Sequence, residues 1–194
     1  VLVLPQVKGD VDTAPLAVYD GNPHSATYGT YRTSGSEWRT LIKRYQRDAS
    51  VKEMLEIFAH LRTIARHVTR ADNRDLIAAN NCIVDYNGGD PKFIEFSPEY
   101  VFVAKLVVDW NPDAQNTVIH NDKDGTDWDV ESWMESLSDD PEVVDLLWKA
   151  IGAVIRPNVA WDKSLWFFSE RGNNGKGTLL SLMRNVLGAG NWID

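Results

Sequence analysis

The stretch Gly172-Asn173-Asn174-Gly175-Lys176-Gly177-Thr178 constrains the fold of this chain more than any other. An apolar run, Leu165-Trp166-Phe167-Phe168, precedes it, and a helical pattern, Leu179-Leu180-Ser181-Leu182-Met183, follows it. Strand, glycine-rich loop and helix in that order are the setting a phosphate-binding loop requires. The pattern predicts a strand over 164–168 and a helix over 176–187, ended by Gly188 and Gly190.

The chemistry explains the residue types. A phosphate is well solvated, so a protein must offer it many N–H groups at once, together with the positive end of a helix dipole. Gly172, Gly175 and Gly177 let the backbone approach without a Cβ clash. Asn173 and Asn174 tolerate unusual backbone angles. Lys176 is expected to reach the β- and γ-phosphates of ATP, and Thr178 to supply a hydroxyl to Mg²⁺. The match to G-x-x-x-x-G-K-[ST] departs at two places: Glu170 stands where the first glycine belongs, and Gly177 separates Lys176 from Thr178. A Gly/Asn-rich surface turn is the structural alternative.

Charge divides the chain. Residues 32–74 carry ten basic and five acidic side chains, a net +5, which leaves −13 for the remainder of a chain whose total is −8. That total argues against a protein that coats nucleic acid over its whole surface, but the basic span is helical and local. Arg39, Lys43, Arg44 and Arg47 fall on or near one side of a helix, with Trp38 and Tyr45 close by for stacking on bases. They are the candidate contacts to DNA; a solvated helix face is the alternative.

Other local signals fill in the organisation. Residues 16–19 and 27–31 flank a turn-rich Asp20-Gly21-Asn22-Pro23 and read as a hairpin. A helix begins at Ser36. Ser50 and Glu53 form a capping box for a second helix, expected to run to about Thr69. Residues 82–86 and 93–96 read as another hairpin, with further strand at 101–103 and 106–109. Residues 128–136 and 141–155 read as helices, the second capped by Asp139 or Asp140 with Pro141 in its first turn. The expected division is a helical-plus-strand domain over 1–110, a polar linker over 111–127, and a helical segment with the start of a nucleotide-binding domain over 128–194.

Single chemical groups are less informative. Cys82, the one cysteine, excludes an internal disulfide and fits a reducing compartment. His24, His60, His67 and His120 lack metal-ligand spacing. Asp122, Asp124, Asp127 and Asp129 miss the glycine and glutamate that a calcium loop needs. Asp85 and Asp109 show no evident partner. There is no apolar run of roughly 20 residues, so no membrane partner is expected.

Three segments together resemble a known family. Asn80-Asn81-Cys82-Ile83-Val84-Asp85-Tyr86 is similar to its "N-G-hydrophobic-L-D-L" strand. Phe96-Ser97-Pro98-Glu99-Tyr100-Val101-Phe102-Val103-Ala104-Lys105-Leu106 is similar to its "H-S-P-E" segment, which Asn111-Pro112-Asp113-Ala114 closes. Asp140-Pro141-Glu142-Val143-Val144 then leads towards the loop at 172–178. This order resembles that of the phage, plasmid and poxvirus primase-helicases, the superfamily 3 helicases. The resemblance implies an α/β chain: an α+β linker domain followed by the first strand, phosphate loop and helix of a P-loop NTPase. It implies ATP and Mg²⁺ as cofactors, single-stranded or forked DNA as substrate, self-association as a ring, a primase or replication partner, and a place in the host cytoplasm. The acidic Mg²⁺-binding strand, the sensor, the arginine finger and the DNA hairpin are expected beyond Asp194, so the 194 residues by themselves are expected to be inactive in hydrolysis. A P-loop nucleotide kinase and a non-enzymatic interaction module are the alternatives.

Overall fold

Leu16, Ala17, Val18 and Tyr19 are successive residues of one strand, and they alternate between two hydrophobic clusters. Leu16 and Val18 join Val3, Trp38, Phe58 and Leu61 on one side, while Ala17 and Tyr19 join Leu4, Tyr31 and Val101 on the other. A sheet buried on both faces follows from that two-residue period. The computed structural model describes residues 1–4, 14–68, 74–87, 89–156, 159, 161–168, 172 and 174–192. Two units divide the chain: Val1–Asn73 with Ile94–Lys105, and Arg74–Phe93 with Leu106–Asp194. The architecture is mixed α/β, with small sheets and five helices among the described residues.

The first unit is built on strands β1 (Leu2–Val3), β2 (Leu16–Tyr19), β3 (Tyr31–Arg32) and β4 (Arg66–His67), in the order β3-β2-β1-β4. β2 is antiparallel to both β1 and β3, and β4 runs parallel to β1. A parallel partner needs a long connection, and here it includes helices α1 (Gly35–Tyr45) and α2 (Val51–Ile64). The helices cover one face of the sheet. Trp38 of α1 is 5% exposed and donates its indole N–H to the Leu16 carbonyl at 3.1 Å. On the other face, the Tyr31 hydroxyl donates to the Pro98 carbonyl at 2.6 Å, and the Tyr31 N–H to Phe102 at 2.7 Å.

Three expectations in this unit are corrected. The second arm of the first hairpin is Tyr31–Arg32 rather than 27–31, because residues 20–30 form turns around Asp20. That carboxylate accepts from the Asn22 N–H and the Thr27 hydroxyl. α2 ends at Ile64 rather than near Thr69, because Leu2 and Val3 of β1 pair with Arg66 and His67 and the Val68 N–H continues to the Val3 carbonyl. Residues 101–103 form no strand; the Tyr31–Phe102 bond is an isolated link rather than a ladder.

In the second unit, β5 (Leu76–Ala78) pairs antiparallel with β6 (Ile83–Asp85), and β7 (Lys92–Ile94) completes the sheet. A separate hairpin, β8 (Ile119–Asn121) with β9 (Thr126–Trp128), lies partly inside the stretch expected to be an unstructured polar linker. Residues 106–109 also lack strand pairing. Their backbone bonds disperse, from the Leu106 N–H to Ala78 and from the Val107 N–H to Val186, while Val108 accepts from Asn80. Helices α3 (Val130–Glu135), α4 (Pro141–Val154) and α5 (Lys176–Leu187) meet at Met134, Ala150, Leu179 and Met183. Among the described residues, no helix is long and apolar enough to cross a membrane.

The expected strand at 164–168 is the largest correction. These residues have no ladder partner among the described residues, and Trp166 and Phe168 are 85% and 87% exposed. A strand exists through its pairing. Of the anticipated strand, loop and helix, the helix is formed and the strand is unpaired among the described residues, while the loop lies partly outside them.

Candidate phosphate-binding loop and basic helix face

α5 begins at Lys176, so the N–H groups of Lys176, Gly177 and Thr178 belong to its first turn, where no intrahelical acceptor exists. The first helical bond runs from the Leu179 N–H to the Gly175 carbonyl at 2.9 Å. Gly175 is the N-cap and has φ +79°, a left-handed angle that a side chain opposes. It also lacks room: a Cβ there would lie 2.5 Å from Cδ2 of Leu137. Glycine is needed at this position for both reasons. At Gly177 a Cβ would meet nothing, so that glycine leaves an open approach to the helix end.

The side chains complete a polar end to a cleft of about 200 Å³. Asn174, Gly175 and Lys176 line that end, and Leu165, Trp166 and Phe168 line the rest with α4. The Lys176 ammonium donates to Asn174 Oδ1 at 2.6 Å. Gly172 and Thr178 are exposed, Thr178 in the first turn of α5. Glu170 and Asn173 lie outside the described residues. An ammonium, first-turn amides and a hydroxyl form a donor set that fits a magnesium-bound polyphosphate.

α4 adds residues to this cleft that the sequence reading did not select. The spacing puts Val143, Val144, Leu147, Trp148, Ile151 and Val154 on one apolar face, of which Val144, Leu147, Ile151 and Val154 pack into the core. Val143 and Leu146 are exposed on the cleft side, however, and Trp148 is also exposed. The sign was available in the composition of α4, whose apolar residues exceed what one packed stripe requires.

The four candidate DNA contacts separate. Arg39 and Lys43 sit one turn apart on α1 and face a cleft shared with α2. Arg44 is exposed but is not among that cleft's residues, and Arg47 lies past the helix end at Gln46. Tyr45 is exposed, whereas Trp38 is buried in the core with its N–H engaged. Trp38 therefore has no face to offer a base, which corrects its expected stacking role.

Several of the remaining chemistry-bearing groups have structural employment. Asp129 caps α3 by accepting from the Ser132 N–H at 2.7 Å, Asp124 accepts from Thr126, and Asp127 pairs with His120 at 2.6 Å. Asp109, expected to lack a partner, accepts from the Asn80 side chain at 2.8 Å. Asn81 binds the Trp110 backbone through both its amide oxygen and its amide nitrogen. Burial, with the Asp109 carboxylate as a smaller contribution, pushes the Cys82 thiol up, which disfavours the thiolate. Among the described residues, no group of three or more His, Cys, Asp or Glu side chains is placed to hold a metal.

Two of the segments quoted above for their resemblance, residues 80–86 and 96–106, lie in the stretch that a family model matches. The model described as "D5 N terminal like" matches residues 25–139, more than half of the chain. The chain belongs to the D5 N-terminal-like family. This is the N-terminal domain of D5-like primase-helicase proteins, and it connects the chain to phage and viral DNA replication. A comparison with curated proteins finds no match. In this D5-like chain the matched region takes in α1, α2 and the Asn80–Asp109 and Asn81–Trp110 links, and it ends before the loop at 172–178.

Proposed function

We propose that this chain is part of a replicative primase-helicase of the superfamily 3 type, in which ATP hydrolysis drives the unwinding of DNA, and that residues 172–178 are its phosphate-binding loop. The observation that carries the reading is the coincidence of Gly-Lys-Gly-Thr with a helix N-terminus: α5 starts at Lys176, with Gly175 held at φ +79°. In the nucleotide complex, the Lys176 ammonium leaves Asn174 for the β- and γ-phosphate oxygens. The amides of residues 176–178 would face the same anion, and the Thr178 hydroxyl would be the residue to hold Mg²⁺. Magnesium supplies charge neutralisation on the phosphates when bound.

DNA is the proposed substrate, contacted near the C-terminal end of α1. Arg44, Arg47 and the exposed Tyr45 suit phosphate and base contact there, whereas Arg39 and Lys43 face the α1–α2 cleft. Self-association as a ring around one strand is part of the same reading.

Unwinding of a forked duplex by the protein that carries this chain, with ATP and Mg²⁺, tests it. Unwinding is expected to be lost in Lys176→Ala. Undiminished unwinding in that variant overturns the assignment of the loop. Light scattering with and without ATP reads assembly, with a nucleotide-dependent rise in mass expected.

A further inference from the structure

The apolar stripe of α2 is wider than the core it serves. Met54 is buried and Phe58 packs beside it against Ile42 and Ala49. Val51 and Leu55, one turn apart, are instead 72% and 59% exposed. Together with Met54 and Phe58 they make the floor of a cleft of about 430 Å³. Its other wall is α1, which contributes Arg39, Thr40 and Lys43. The result is an aliphatic floor beneath a rim of two cations on one helix face.

That combination selects a ligand. Nucleic-acid bases stack on aromatic faces, and the cleft offers only the partly buried Phe58. An aliphatic floor suits an aliphatic or aromatic anchor side chain. Residues four apart on a helix stand roughly 6 Å apart at Cβ, so Arg39 and Lys43 match carboxylates presented at the same spacing by another helix. Charge complementarity points the same way, since the charged residues that line the cleft are Arg39 and Lys43, and residues 35–64 carry six basic and four acidic side chains within an otherwise acidic chain.

We propose that the α1–α2 cleft is a docking site for an acidic amphipathic helix of a partner protein, whose apolar anchor sits on Val51, Leu55 and Phe58 and whose carboxylates pair with Arg39 and Lys43. This is the helix-in-groove mode of recognition with an electrostatic register.

Fluorescence anisotropy with the whole chain tests the proposal, using three labelled probes. The first is a designed 16-residue helical peptide with leucines at i, i+3, i+4 and i+7 and glutamates on the flanking positions. The second is the same peptide with lysine for glutamate, and the third is a single-stranded oligothymidylate. The glutamate peptide is expected to bind at least about tenfold more tightly than the lysine peptide. Arg39→Glu combined with Lys43→Glu should reverse that preference. Leu55→Asp should weaken the glutamate peptide by a similar factor without changing the melting temperature, since all three side chains are exposed. Equal binding of the two peptides overturns the proposal. So does displacement of the glutamate peptide by oligothymidylate with both losing affinity in the double charge reversal, which would make the cleft a DNA site.

Discussion

The Lys176 ammonium donates a 2.6 Å hydrogen bond to the side-chain oxygen of Asn174, two residues earlier in the chain. The neutral amide holds the cation at the mouth of α5 without neutralising it. A polyphosphate outcompetes such a partner, because hydrogen bonds between two ions are stronger than those from an ion to an amide. Asn174→Asp replaces the amide with a competing anion and sets a negative charge where the nucleotide must enter. Fluorescent ATP affinity is expected to fall roughly tenfold or more in Asn174→Asp and to change by less than about threefold in Asn174→Ala. Equal affinities for the two variants would contradict this role.

Gly29 has φ +84°, and a Cβ on it would lie 2.2 Å from Cγ of Phe96. Gly29→Ala combines a strained backbone with a ring clash and is expected to cost about 3 kcal/mol. Urea denaturation measures it. In a Phe96→Ala background the same substitution should cost about 1 kcal/mol less or better, because the ring is gone and only the backbone strain remains.

Trp38 separates packing from hydrogen bonding. Trp38→Ala empties the space between the sheet and α2 and is expected to destabilise by about 3–5 kcal/mol. Trp38→Phe keeps most of the ring volume but leaves the Leu16 carbonyl without its 3.1 Å donor, at about 1–2 kcal/mol. Neither change should alter salt-dependent DNA binding beyond its effect on folding.

Asp20 links stability to pH. Burial pushes its carboxyl up, but hydrogen bonds from Ser25, Thr27 and the Asn22 N–H, with the Arg32 guanidinium, outweigh that and hold it below the usual carboxylate range. A depressed folded-state value means stability that is present above the unfolded value of about 3.9 and lost as pH falls through the folded value. Asp20→Asn should therefore destabilise the chain at pH 7, with the gap to wild type narrowing below about pH 4. A gap that stays constant down to pH 2 would contradict the assignment.

Local devices were legible in the sequence, and distant pairings were not. Ser50 and Glu53 form both bonds of the expected capping box, and Asp140 with Pro141 starts α4 where anticipated, because each signal lies within four residues. α5 spans the predicted 176–187 for the same reason. β1 and β4 contribute two residues each to a pairing some sixty positions apart, which no local pattern encodes. The apolar run at 101–103 looked like a strand because it is largely buried, and that at 106–109 because it is apolar although Val107 and Val108 are exposed; in both, the amides and carbonyls go to scattered partners. At the candidate site, the glycine and lysine types announced phosphate chemistry, while Val143 and Trp148 looked like ordinary core and Leu146 was not singled out. Trp38 falls on the same helix face as Leu41 and Ile42, so its burial was legible in the spacing although basic residues stand beside it.

Titration of the chain with fluorescent ATP and Mg²⁺ is the most direct measurement of the central claim, that α5 begins at a phosphate cradle. Saturable binding is expected in wild type, and Lys176→Ala should weaken it roughly tenfold or more with the melting temperature unchanged. Binding of equal strength in Lys176→Ala and wild type would contradict the account.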